Sequence, residues 1–175
     1  MPGIWTGAAR SSTAPPLRRK WGHRDWPEPD GSWAKPGTKR HLVVDRHGTP
    51  LGVRLSPASR HDSLMLAPTL DTVPGRHGCG RPRKRLDKLH ADKAYDHHRC
   101  RSECRKRRVS PRFARRGIDS SERLSRHRCV VERALAWLNR LRRLTIRYER
   151  RPDIHEAFVI LGCALICLNQ IRRFC

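Results

Sequence analysis

The apolar positions of this 175-residue chain fall into short runs whose spacing changes along its length. Lys39–Asp45 (KRHLVVD) and Pro50–Leu55 (PLGVRL) have β character and flank Arg46-His47-Gly48-Thr49. That arrangement predicts a hairpin with Gly48 in the turn. Leu64, Leu66, Ala67 and Leu70 predict a short helix over Ser63–Leu70. A Gly/Arg loop at Gly75–Arg85 precedes a third strand, Lys88–Asp92. Asp96 is placed to cap a helix running to about Arg107, and Val109–Ala114 reads as a fourth strand.

The clearest helix covers Ser121 to Arg143. Val131, Ala134, Leu135, Leu138 and Leu141 recur at three- and four-residue spacing and mark its buried face. Arg128, Glu132, Ala136, Asn139 and Arg143 form a second, polar stripe. The last helix, Ile154–Arg173, contains the longest apolar run, Ala157–Leu168, too short to span a bilayer and read as a buried helix. No membrane association is expected. The order hairpin, helix, strand, helix, strand, helix predicts an α/β fold, a mixed sheet flanked by helices.

Residues 1–37 are rich in Gly, Pro, Ser, Arg and Trp without a sustained period, and read as an irregular leader before one domain, 38–175. A chain of this length can bury a real core.

Charge narrows the function. There are 39 Lys+Arg against 16 Asp+Glu, for a formal net charge of +23. The basic residues cluster at Arg81–Arg85, Arg105–Arg108, Arg112–Arg116 and Arg147–Arg151, along the chain rather than in one tail. Arg suits bidentate phosphate contacts, and this distribution predicts a broad nucleic-acid-binding face. Seven Cys, an odd number without a charged-then-apolar leader, argue for reduced thiols in the cytoplasm. Cys163 and Cys167 are expected in the core. His97, His98, Cys100 and Cys104 could ligate zinc, but no second Cys/His pair follows at a familiar spacing.

In so basic a chain the acids stand out. Phosphodiester chemistry commonly uses two divalent metals about 4 Å apart, and Mg²⁺ prefers a few carboxylates plus water and phosphate. Asp92, at a strand end in LHADKAYD, and Glu132, on the polar stripe, are suited to that task. Each has an ordinary reading too. Asp92 can satisfy loop amides, and Glu132 can pair with Arg128 or Arg133 on a wet helix face.

Three segments, GTKRHLVVDRHGTPLGVRLSPASRHDS, KLHADKAYD and RHRCVVERALAWLNRLRRLTIRYERRPDIHEAF, occur in that order. Across residues 38–170 the chain thereby resembles the DDE-type transposases of bacterial insertion sequences, in their C-terminal, catalytic portion. The resemblance implies an RNase H-like fold, incomplete at its N-terminus, and three acids holding two Mg²⁺ or Mn²⁺ ions. It further implies DNA as partner, both transposon ends and target, with cleavage and then strand transfer by a homodimer in the bacterial cytoplasm.

Matched residue by residue, Asp92 corresponds to the second acid and Glu132 to the third, with Arg128 on the preceding helical turn. Where the family often has Lys, this chain has Asn139 followed by Arg140; Ser125 replaces an expected Tyr. Lys93 and Arg143 complete the expected DNA contacts. The first acid is the main departure. Asp30, in PDGSW, has the right local look, whereas Asp45 resembles a hairpin-turn residue. The competing expectation is a basic nucleic-acid-binding remnant without catalysis.

Overall fold

The computed structural model describes residues 5–10, 37–74, 86–115, 121–149 and 151–174, with 5–10, 121–128 and 174 as backbone only. Five strands are described: β1 (Trp5–Arg10), β2 (Thr38–Val44), β3 (Pro50–Pro57), β4 (Lys88–Ala91) and β5 (Ser110–Phe113). They form one sheet in the order β3-β2-β1-β4-β5. β2 pairs antiparallel with both β3 and β1, while β4 pairs parallel with β1 and β5. This is the mixed sheet that the order of elements predicted.

The central strand comes from the stretch read as an irregular leader. Trp5-Thr6-Gly7-Ala8-Ala9-Arg10 has neither a two-residue nor a helical apolar period, so periodicity could not find it. Its strand state is imposed by the ladders on either side, where tertiary pairing overrides weak local preference.

The hairpin forms as expected. Gly48 has φ 86°, and the Asp45 carboxylate accepts from the His47 and Thr49 amides, both at 2.8 Å. That ties Asp45 to the turn. β2 is covered on both faces, which explains its continuous apolar reading. Val43 joins a cluster with Leu66, Leu70, Leu89, Tyr95, Cys100, Cys104 and Phe113. Leu42 and Val44 point the other way, into a cluster with Val131, Ala134, Leu135, Leu138, Leu144, Val159 and Ile166. Helices α1 (Leu66–Asp71) and α2 (His98–Lys106) supply the first layer; α3 (Ser121–Asn139), α4 (Arg142–Thr145) and α5 (Pro152–Phe174) supply the second.

Three helix details differ from the sequence reading. α2 starts after His97 without a side-chain cap, because Asp96 is held by Arg101 at 2.6 Å. α3 stops at Asn139, where Leu141 turns extended (φ −79°, ψ 112°) before α4. The polar stripe therefore ends at Asn139, and Arg143 lies beyond the break. α5 is buried on one face only: Ile154, Leu161, Leu165, Leu168 and Ile171 are exposed, while His155, Val159, Cys163 and Ile166 face inward. Gly162 lets the helix sit close, since a Cβ there would meet Leu144 and Leu141 side-chain atoms at 2.8 and 2.9 Å.

Candidate functional site

Asp92 leaves β4 directly beside the central strand. The last parallel pair is Ala8–Ala91, so Ala9 is level with Asp92. The backbone turns out of the sheet at φ −68°, ψ 165°, and the carboxylate accepts from the Lys93 amide at 2.7 Å. The side chain thus caps the short 3-10 turn Lys93–Tyr95, as the ordinary reading requires, and remains half-exposed. Lys93 is half-buried in the same turn.

Glu132 rides on α3, which lies across β1 and β2. Val131, Ala134, Leu135 and Leu138 anchor that helix in the core, leaving Glu132 exposed. Both acids are thus carried by elements that adjoin β1. β1 itself contains no carboxylate, and Asp30 lies outside the described residues. Among the described residues, no group of three or more His, Cys, Asp or Glu is placed to hold a metal ion. Asp92 and Glu132 are two of the three acids that the resemblance implies, so the described residues alone do not complete a site for the ion pair.

The remaining candidates divide by environment. The Arg128 side chain lies outside the described residues. Arg140 is exposed. Asn139 accepts from Arg40 Nη1 through its amide oxygen at 2.8 Å, an interaction within the fold. Arg143 donates from Nε to Glu149 at 2.9 Å and lies over the Tyr148 and Phe158 rings at 5.6 and 5.2 Å. Trp137 is half-buried, with the Arg133 guanidinium 5.7 Å above its ring.

Part of the basic surface expected from composition is internal. Arg40 is 2% exposed, and its guanidinium donates to Asn139 and to the Leu144 carbonyl. It bridges the break between α3 and α4, and burial holds its pKa below the ordinary value. Arg147, in the RYERR cluster, is also buried. It donates to the Glu149 carbonyl at 2.9 Å and to Thr38 Oγ1 at 2.8 Å. Arg151 pairs with Asp153, and Arg107 with Asp71 and Glu103. The Arg40 bonds and the Arg147–Thr38 bond join segments about a hundred residues apart, which short-range patterns cannot register.

Two buried histidines were also illegible in the sequence. His41 meets Ser56 Oγ at 2.7 Å and the Tyr95 hydroxyl at 3.3 Å, and burial pulls its pKa down to about 4. His155 is fully buried with Nδ1 3.2 Å from Glu149 Oε2. Burial lowers its pKa, so the neutral ring donates to the carboxylate. Against the upward pull of burial, hydrogen bonds and Arg143 keep Glu149 below the usual range. Cys100, Cys104 and Cys163 are buried; Cys167 is half-buried.

Comparison with known proteins locates this architecture. A "Transposase DDE domain" family model matches residues 9–168. A Burkholderia cepacia protein named "Putative transposase for insertion sequence element IS402" is 44% identical over 157 residues, 89% of this chain and 74% of that protein. The catalytic core domain of BIV integrase superposes with a TM-score of 0.48 at 16% identity, covering 91% of this chain and 80% of that one. With a family model spanning most of its length and a relative this similar, the chain belongs to the transposase DDE domain family.

Proposed function

We propose that this chain binds DNA and serves as the catalytic core of a transposase acting at insertion-sequence ends and on target DNA. Asp92, Glu132 and Asp30 are the three carboxylates in this reading, with Mg²⁺ or Mn²⁺ as the ions. The observation that carries it is the placement of Asp92 at the β4 terminus, beside the central strand that α3, the bearer of Glu132, crosses. Bound divalent ions would supply activation of an attacking oxygen and stabilisation of the leaving one.

The chain's own residues would hold and orient the DNA. Arg105, Arg108, Arg112, Arg115, Arg140 and Arg142 are exposed, which suits sequence-independent contacts to phosphates. Arg128, by family match, and Lys93, beside Asp92, belong to the same set in this reading. Asn139 and Arg143 carry structural bonds in addition to any contact with DNA. The working form in this reading is a homodimer in the bacterial cytoplasm, associated with the nucleoid when DNA is bound.

One observation favours a second reading, a basic DNA-binding remnant without catalysis: the central strand supplies no acid. The two are separated with purified protein and transposon-end DNA. Cleavage that requires Mg²⁺ or Mn²⁺, and is lost in Glu132→Gln and in Asp30→Asn while salt-sensitive binding persists, supports catalysis. Binding that weakens with salt but never yields nicked or joined products establishes the remnant. Cleavage unaffected by Asp30→Asn would assign the third carboxylate elsewhere.

A further inference from the structure

The outer face of α5 has an order that core packing does not account for. Ile154, Ala157, Leu161, Ala164, Leu168 and Ile171 recur at alternating spacings of three and four residues, and all six are exposed. The larger ones are 42–59% exposed, well outside the range of a packed helix face. This spacing is that of the a and d positions of a coiled-coil seam. Pro152–Ile171 contains no Lys or Arg, although the chain has 39 of them. The seam is thus a weakly charged face on a strongly basic molecule.

We infer that this face pairs two copies of the chain through antiparallel α5 helices. In that register each a position meets a d position of the other copy. Ile154 faces Ile171, Ala157 faces Leu168, and Leu161 faces Ala164, so every alanine is matched by a leucine. Parallel pairing would instead stack alanine on alanine and leucine on leucine, leaving gaps beside crowded layers. The alanines also border a hollow lined by Leu51, Gly52, Thr72 and Ile160, with the Arg54–Glu156 ion pair in the same lining. The ends agree with the same choice. Asp153, which also pairs with Arg151 of its own chain, comes level with Arg172 of the second copy, and the helix N-terminus adjoins the opposing C-terminus, the favourable orientation of the two dipoles. Parallel pairing would set Arg172 and Arg173 of the two copies together at one end.

This pairing rests on the homodimer of the proposed function, but not on whether the site cleaves DNA. Sedimentation equilibrium of the DNA-free protein at about 0.5 M salt, where surface charge is largely screened, tests it. The expected mass is twice the 20.3 kDa of one chain. Leu161, 56% exposed, can be changed to Glu without disturbing the core. Leu161→Glu should weaken association roughly thirtyfold or more, as loss of a central anchor worth about 2 kcal/mol does, while its far-UV circular dichroism stays unchanged. Mixing Ala157→Cys protein with Leu168→Cys protein should give the intermolecular 157–168 disulfide, identified by peptide mapping.

A monomer at all concentrations overturns the inference, as does a dimer indifferent to Leu161→Glu. Homotypic 157–157 and 168–168 bonds would refute the antiparallel register. α5 also has the length and hydropathy of a membrane span. A monomer that floats with neutral phosphatidylcholine vesicles, and loses this in Leu161→Glu, would give the face to lipid instead.

Discussion

Asn139→Ala separates two roles for a residue that family matching assigns to DNA. In the structure its amide oxygen accepts from Arg40 at 2.8 Å, and that guanidinium is 2% exposed. Truncation leaves Arg40 with the Leu144 carbonyl and opens one N–H toward solvent. A hydrogen bond to a charged group contributes about 1.5–3 kcal/mol. Partial rescue by water at the exposed Asn139 position sets the expected loss near 2 kcal/mol. For a domain of this size that is a fall in Tm of roughly 4–8 °C. Urea denaturation followed by circular dichroism, with Tm from the same protein, measures both. A cycle with Arg40→Met isolates the coupling, since each change alone removes the same bond. DNA affinity of the folded variant at fixed salt should change little. Unchanged stability together with a large loss of affinity would refute the reasoning and return Asn139 to the DNA interface.

Three further outcomes follow from burial. His41 titrates at about 4, below its unfolded value near 6.5, so its stabilising contribution is complete above that unfolded value. Stability should decline as pH falls from about 6.5 to about 4, and His41→Gln should flatten that decline in denaturation midpoints; His155, shifted in the same direction, adds to it. Gly162→Ala should destabilise by about 1–3 kcal/mol despite alanine's higher helix propensity, because the new Cβ meets Leu144, Leu141 and Leu138 at 2.8–3.0 Å; an unchanged Tm would show that these leucines yield freely. Burial raises the Cys104 thiol to about 11 and Cys163 to about 12, whereas Cys129 is exposed. Iodoacetamide on the native protein should therefore modify Cys129 well before either, as followed by peptide mass spectrometry.

The candidate site was legible in proportion to how local its signals are. Asp92 and Glu132 sit in short segments whose type and place in the chain order could be read directly, the first at a strand end and the second beside an apolar helical stripe. The Asp96 cap and the reach of the polar stripe to Arg143 were also local readings, and both gave way to tertiary partners. Arg101 takes up Asp96, and the break bridged by Arg40 ends α3 at Asn139. The basic clusters point toward nucleic acid in composition, but composition cannot tell Arg140 on the surface from Arg147 in the interior.

By itself, the chain's pattern determined the hairpin at Gly48, strands β4 and β5, the buried stripe of α3 and the class of fold. These depend on periods of two and 3.6 residues and on turn chemistry, which act within a few positions. Only the tertiary structure decided that Trp5–Arg10 is the central strand, that Arg40, His41 and Arg147 are internal, and that α5 presents an apolar face outward. Each of those outcomes depends on partners far along the chain. Hydrogen-bond ladders on both sides make a strand of a sequence with no period. A buried guanidinium is tolerated only where distant acceptors converge on it.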